Sequence, residues 1–419
     1  MKIAVIGVKG LPPKQGGIEH YCAEVYPRIV KQGHSVDLFA RSSYTDCRWF
    51  ENYDFQGVQV ISLPSFDFRG IDAFITSALG AIAASGKQYD IIHFHALGPS
   101  LFTWLSRLTA KKAKIVVTCQ GLDWQRAKWG NFSSRLILAG EQAAVRFAHG
   151  LIVVSKDLQS YFLQTYDRQT VYIPNAPANY AESDPNFAYG TSLGLIEGRY
   201  ILFLGRLVPE KRPDLLIEAF CKLKPPGWKL VLAGGISDTK SYVSKLLDII
   251  AENQEVLLAG ELRGERLAEI VRGAGLFVLP SDVEGLPLAM LEAMREGISV
   301  MASDIPPHQQ LLSEQRGVLF SAGNLDSCIS CLDWAVNHPQ ELAIMAGNAQ
   351  KYVELNYSWE QITAENLKLY KTLLNSSANI KTPESHSMKI PEVVSIRQTP
   401  IAVVVQKTVI SEHATVSEK

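Results

Sequence analysis

Eleven short apolar runs, none longer than seven residues, alternate with helical stretches between residues 2 and 302. Nothing else in the chain constrains the fold as much. Short β-rich runs that end near glycine and are each followed by a helical periodicity specify buried parallel strands joined by helical crossovers. The first is Lys2-Ile3-Ala4-Val5-Ile6-Gly7. Ile18, Tyr21, Cys22, Val25, Ile29 and Val30 then recur at helical spacing until Gly33, with an expected kink at Pro27. Further strands are predicted at 34–40, 90–95, 114–119, 150–154 and 169–173. Pro174-Asn175-Ala176-Pro177-Ala178-Asn179 closes this half, and a polar stretch runs to about Gly198. The pattern restarts with strands predicted at 200–204, 229–233, 255–258, 275–279 and 298–302. The halves share no close sequence repeat, yet each reads as a doubly wound α/β unit.

The length of 419 residues fits two domains plus a remainder. Beyond Asn375 the composition turns to Ser, Thr, Pro, Lys and Glu, so residues 376–419 read as a mostly disordered tail with one apolar island at 400–405. A net charge of −1 argues against a general nucleic-acid binder. The six cysteines are scattered and no secretory signal precedes them, which points to reduced thiols in a cytoplasmic setting. Cys328 and Cys331 form a C-x-x-C with no second Cys or His pair nearby, and read as helix packing. No run reaches the roughly 18 apolar residues of a membrane span; the nearest, 71–85, is interrupted by Asp72, Thr76 and Ser77.

Open parallel sheets bind ligands at the carboxyl ends of their strands. After the run at 200–204 comes Gly205-Arg206-Leu207-Val208-Pro209-Glu210-Lys211, with two cations immediately before a helix. Fixed positive charge and free helix N–H groups fit a diphosphate; a solvated basic loop is the alternative. After the run at 275–279 comes Val283-Glu284-Gly285-Leu286-Pro287, with Glu292 further along the helix that Pro287 opens. Gly285 lets backbone approach a ligand, and Glu284 and Glu292 offer acceptors for hydroxyls; the alternative role of such acids is to complement the helix dipole. His93 and His95 flank Phe94 at a strand end and point to one side of the sheet, as polar cleft residues or as a metal pair without a third ligand. Residues 101–150 hold eight Lys or Arg against the two acids Asp123 and Glu141. Mixed with Phe102, Trp104, Leu105, Trp124, Trp129 and Phe132, they suit either anionic lipid headgroups or a solvated helical face.

Gly205-Arg206 and Lys211, followed by Glu284 and Glu292 with seven residues between them, resemble the donor site of the family 4 retaining glycosyltransferases of GT-B architecture. The resemblance covers nearly all of residues 1–375 in motif order. It implies an α/β fold of two Rossmann-like domains facing a cleft: an acceptor-side domain at 1–178, a linker at 179–198 and a donor-binding domain at 199–357. A helix at 358–375, opened by Trp359, would cross back to the first domain. In the family the arginine and lysine hold the diphosphate of a nucleotide sugar, the first acid faces the donor sugar and the second binds ribose hydroxyls. Arg206, Lys211 and Glu284 would then carry catalysis. Gly16 and Gly17 resemble the family's glycine loop, and join Gly285, Leu286 and Glu292 in binding the donor. As a bare pattern Gly7, Gly10, Gly16 and Gly17 do not fit the dinucleotide motif G-x-G-x-x-G. His95, Gln120 and Asp123 would lie on the acceptor side. The chain departs from the family at Gln120, where a histidine is common; glutamine can hold a hydroxyl but cannot shuttle a proton.

The resemblance implies transfer to a saccharide or lipid-linked acceptor. The basic, aromatic-rich stretch at 101–150, on its lipid reading, suggests peripheral attachment to an anionic membrane surface, and the near-neutral charge argues against a nucleic-acid partner. No D-x-D grip is present, so no metal or other cofactor is expected. Two other functions remain open: a nucleotide-sugar hydrolase or epimerase of the same fold, and a non-catalytic nucleotide-sugar-binding scaffold.

Overall fold

The computed structural model describes residues 1–13, 16–65, 71–125, 131–235, 240–251 and 253–376. Two separate sheets carry the eleven predicted strands and three more. The first sheet holds β1 (Lys2–Ile6), β2 (Ser35–Arg41), β3 (Asn52–Phe55), β4 (Val58–Leu63), β5 (Ile91–His95), β6 (Lys114–Cys119), β7 (Gly150–Val153) and β8 (Val171–Tyr172), in the order β3-β4-β2-β1-β5-β6-β7-β8. The second holds β9 (Tyr200–Leu204), β10 (Lys229–Ala233), β11 (Val256–Gly260), β12 (Leu276–Leu279), β13 (Val300–Ser303) and β14 (Val318–Phe320), in the order β11-β10-β9-β12-β13-β14. Every pairing is parallel except β3 with β4. The central strands are buried on both faces, as continuous apolar runs require.

Five helices serve the first sheet: α1 (Gly17–Lys31), α2 (Ile71–Ser85), α3 (Thr103–Thr109), α4 (Asn131–Phe147) and α5 (Lys156–Tyr166). Pro27 lies inside α1, its ring buried. Helix α1 covers one face, while α2 to α5 pack on the other around Ile6, Phe94, Val117 and Phe162. The stretch expected as a linker holds α6 (Ala188–Ser192), which is docked on the second unit: the Gly190 N–H donates to buried Glu269 at 2.8 Å, and Phe187 stacks on Tyr200. The remaining helices are α7 (Pro213–Leu223), α8 (Lys240–Ala251), α9 (Gly264–Arg272), α10 (Leu288–Arg295), α11 (Pro306–Leu312), α12 (Leu325–Asn337), α13 (Pro339–Asn356) and α14 (Trp359–Asn375). Cys328 is buried in the core against α12's own sheet, and all six cysteines are free thiols.

Helix α14 returns to the first sheet and lies beside α1. Its Glu360 pairs with Arg28 at 3.0 Å and its Tyr370 hydroxyl meets His93 Nδ1 at 2.7 Å. Trp359 Nε1 donates to the Pro177 carbonyl at 3.2 Å. Both sheets and their helices form one compact unit. The tail at 377–419 lies outside the described residues.

Candidate functional site

Each sheet reverses its strand order once, between β1 and β5 in the first and between β9 and β12 in the second. Such switch points open a crevice at the carboxyl ends, because the flanking crossovers run to opposite sides. The second crevice collects the charged residues. Arg206 and Lys211 follow β9, Glu284 follows β12, and His308 follows β13 through the first turn of α11.

Two loops are tied together there. The Asp282 N–H donates to the Glu210 carbonyl at 2.9 Å, and Arg212 meets the Asp282 carboxylate at 3.3 Å. Between them Lys211 Nζ lies 2.6 Å from Glu284 Oε1, which also accepts the Ser281 hydroxyl at 2.9 Å. Lys211 and Glu284 keep only 17% and 12% of their side chains exposed. Burial works to raise the Glu284 carboxyl, but the Lys211 charge and hydrogen bond outweigh it, so the net shift is downward and Glu284 is held ionised. Arg206 is more open, at 40%, with its guanidinium 4.0 Å from Glu210. Burial and the Lys211 charge push His308 down to about 4 against the opposing pull of Glu284, so the ring is neutral at pH 7. Its Nδ1 meets Ser303, and among the described residues its Nε2 has no hydrogen-bond partner.

Helix α10 starts at the same place. Pro287 is its N-cap and no side chain caps it, so its leading N–H groups face the crevice end of the helix. Three residues of the first half, Gln120, Gly121 and Gly17, meet this start. A Cβ on Gly285 would collide with the Gln120 carbonyl oxygen and crowd Gly121, and a Cβ on Gly17 would press on Leu288 at 2.9 Å. Gly16, at φ 97°, caps α1 in a conformation that suits glycine. Leu286 packs against the apolar clusters of both halves. Gly16, Gly17, Gln120, Glu284, Gly285 and Leu286 are thus brought together along one seam.

Glu292 faces the junction between the halves. It accepts the Tyr180 hydroxyl at 2.7 Å, and burial raises its carboxyl against the lowering effect of Tyr180 and the Ala178 backbone. Next to it Arg295 holds the chain at Pro177, Ala178 and Asn179. Gln120 Oε1 accepts from Asn175 Nδ2 at 2.7 Å. That leaves Gln120 Nε2 and Asn175 Oδ1 buried without partners among the described residues. One spare donor beside one spare acceptor is the complement of a single hydroxyl group. Asp123 starts a short turn after β6, fixed by Trp124 Nε1 donating to buried Glu141 at 2.9 Å.

His95 is not where the sequence places it. Its ring has no exposed surface; it stacks on His93 with centroids 4.3 Å apart and meets the Tyr26 hydroxyl at 2.7 Å through Nε2. His93 meets Thr118 and Tyr370, each at 2.7 Å. Both rings point under the sheet toward α1 and α14, which the alternation of β5 permits as readily as the cleft. Burial pushes His95 down to about 3 and His93 well below its usual value. They are neutral core residues. The sequence reading also missed Ser281, His308 and Tyr180; His308 sits just past a strand end and was findable by position, whereas Tyr180 carries no local signal.

Residues 15–176 match the description Glycosyltransferase Family 4, and residues 195–352 match Glycosyl transferases group 1. The two matches tile both halves of the cleft. The chain belongs to the family 4 glycosyltransferases. This glycosyltransferase is 27% identical to a D-inositol 3-phosphate glycosyltransferase of Gordonia bronchialis over 90% of each chain. It is also 27% identical to an uncharacterized glycosyltransferase of Methanocaldococcus jannaschii, over 88% of this chain and 98% of that one. Its fold is that of sucrose-phosphate synthase from Thermosynechococcus elongatus, with a TM-score of 0.75, 20% identity, and 90% and 100% of the two chains covered. Anabaena HepE, solved with UDP-glucose, superposes with a TM-score of 0.73 at 19% identity over 89% and 100%. The glycosyltransferase therefore has the GT-B architecture of two parallel-sheet units.

Proposed function

We propose that this glycosyltransferase takes a sugar from a nucleoside diphosphate sugar and passes it, with retention at the anomeric carbon and without a metal ion, to a saccharide or lipid-linked acceptor. The Lys211–Glu284 pair beside the uncapped start of α10 carries the reading. A diphosphate laid across that helix start meets Lys211, Arg206 and free N–H groups, which stabilise charge developing on the leaving oxygen. Glu284, ionised and fixed by Ser281, grips donor sugar hydroxyls, and Glu292 grips ribose hydroxyls. Among the described residues no side chain stands as a nucleophile for double displacement. The acceptor therefore attacks on the face the diphosphate leaves, and the departing oxygen takes its proton.

The cationic loop does the work a metal does elsewhere. Transfer run in EDTA, with the product anomer read by NMR, should give full turnover and the donor's own configuration. Inversion, or a loss restored only by Mn²⁺ or Mg²⁺, overturns the reading; donor cleavage that is indifferent to every acceptor marks a hydrolase instead.

Lipid-linked acceptors fit a further feature. Phe74, Ile82, Trp104, Leu108 and Phe132 are exposed on α2, α3 and α4, with Arg107, Lys111, Lys112 and Arg135 around them. The Ser85–Thr109 hydroxyl contact at 2.6 Å brings the ends of α2 and α3 together. The acids of these helices are withdrawn: Glu141 is buried and Asp72 pairs with Arg41. Arg126, Lys128 and Trp129 lie outside the described residues, and no described helix is long and apolar enough to span a membrane. Attachment would be peripheral, at the inner face, and should weaken with salt, since exposed charges are screened beyond ~10 Å at 0.1 M. Vesicle sedimentation without preference for anionic lipid removes this part.

A further inference from the structure

The chain leaves the carboxyl end of β2 through a short turn at Ser42–Tyr44 and crosses an open groove of about 640 Å³. Its lining is Ser42, Ser43, Cys47, Arg48, Trp49 and Ser65. The size falls among small-ligand sites, roughly 300–1,000 Å³. None of these residues belongs to the donor site.

The floor is built from hydroxyls. Ser42 Oγ and Ser65 Oγ lie 3.0 Å apart, the Ser43 N–H donates to Ser65 Oγ at 2.9 Å, and the Ser65 N–H donates to Ser42 Oγ at 3.1 Å. One wall is aromatic. Trp49 is 53% exposed and the adjoining Phe50 is 68% exposed. Phe50 adopts φ 66°, a left-handed conformation that bulky side chains rarely take, fixed by its N–H donating to the Ser62 carbonyl at 2.7 Å. Both large rings remain more than half exposed around that turn. Strained backbone that presents side chains to solvent points toward a binding role.

The residues flanking the groove pack on the loop that follows β1. The Arg41 N–H donates to the Lys9 carbonyl at 2.8 Å, and Lys9 Nζ lies 5.2 Å over the Tyr44 ring. A Cβ on Gly10 would meet the Tyr44 carbonyl oxygen at 3.1 Å, and the Tyr53 hydroxyl bonds to Leu11. The segment that carries the groove is thus anchored on Lys9, Gly10 and Leu11, which precede Gly16 and Gly17 in the chain.

We propose that this groove is a second carbohydrate subsite, which holds a sugar unit of the acceptor away from the reacting end. It rests on the transfer reading above. A pyranose offers an apolar C–H face to the Trp49 indole and hydroxyls to the serine floor, and exposed Arg48 is placed for an acidic substituent on that unit. The subsite sets which glycan is extended while the donor site sets which sugar is added.

The full-length chain, applied to an array of neutral oligosaccharides and uronic-acid- or phosphate-bearing ones, tests this, with affinities of the captured glycans measured by titration. Trp49→Ala should weaken capture on the order of tenfold or more. Arg48→Ala should weaken acidic glycans and spare neutral ones. Binding of UDP-sugars or GDP-sugars, followed by thermal shift, should be the same in parent and variants. A parent that binds nucleotide sugar but captures no glycan overturns the subsite, as does a Trp49→Ala variant with unchanged capture. A parent that binds neither glycan nor nucleotide sugar overturns the transfer reading itself.

Discussion

The two walls of the cleft are made of different materials. The second half brings fixed charge to its crevice: Arg206, Lys211 and Glu284, with Arg212 and Asp282 bracing the loops that carry them. The first half brings glycines and amides: Gly16, Gly17, and Gln120 bonded to Asn175. A diphosphate is the same anion whatever sugar it bears, so its wall can be rigid and charged. An acceptor differs from one enzyme to the next, and neutral hydrogen bonds on a loop can be exchanged without leaving a buried charge unpaired. On the transfer proposed above, the charged wall is the part that can stay constant and the amide wall the part that can adapt.

That contrast predicts unequal costs of substitution. Lys211→Ala removes the proposed leaving-group grip and strands the Glu284 carboxylate, which is 12% exposed and loses its only cation within 4 Å among the described residues. Turnover should fall on the order of 10²-fold or more, and Arg206→Ala should match it if both cations reach the diphosphate. Initial rates with labelled donor measure the loss. A Lys211→Ala enzyme within a few-fold of the parent would put the charged wall outside the reaction and erase the contrast.

Acid separates the halves in stability. His93 and His95 are buried neutral, with folded pKa values depressed below the ordinary 6.5, His95 to about 3. Below pH 6.5 the unfolded chain binds protons that the fold refuses. Their contribution is fully present above about 6.5 and is lost as pH falls toward the folded values, at about 1.4 kcal/mol, or tenfold in the folded ratio, per pH unit for each ring. His308 does the same once in the donor half, down to about 4. Glu284 behaves differently, since its lowered carboxyl keeps its contribution until the pH passes below the ordinary carboxylate range. Denaturant midpoints between pH 7.5 and 4.5 should fall less steeply in His95→Asn than in the parent. Parallel slopes would show that the pair is not what makes the acceptor half acid-sensitive.

The alternation of apolar runs and helical periodicities was enough to read eleven strands, because buried parallel strands are uniformly apolar. The hairpin of β3 and β4 escaped because its alternation is that of an edge: Asn52 and Asp54 are exposed while Tyr53 and Phe55 are half-buried. Its turn, Gln56-Gly57, has both residues at positive φ, 53° and 87°, but lacks the Asn or Asp that usually announces such a turn. β14 is only three residues long. At the site, Arg206, Lys211, Glu284 and Glu292 were legible because charge at strand ends is conspicuous. That Lys211 and Glu284 bond to each other was not, since residues 73 apart meet only through the β9–β12 neighbourhood. His95 misled because strand alternation fixes a face of the sheet without saying whether cleft or helix covers it.

The smallest effect belongs to Gln120, the residue that departs from the family's histidine. Its carbonyl is pressed against Gly285 and its side chain is bonded to Asn175, so it sits on the seam between the two walls. If the departing diphosphate is the base, Gln120 has no proton to move and only positions a hydroxyl, with Nε2 as donor and Asn175 Oδ1 as acceptor. Gln120→Ala should then cost one neutral hydrogen bond, about 0.5–1.5 kcal/mol, or roughly 2- to 13-fold in turnover. Asn175→Ala should cost a similar amount, and the double variant less than the sum, because both changes release the same hydroxyl. Gln120→His should bring no large gain. Steady-state rates of the parent and the four variants decide it. A parent that binds donor but transfers nothing, and becomes active only as Gln120→His, would mean that the acceptor wall once supplied the proton chemistry and that this chain has lost it.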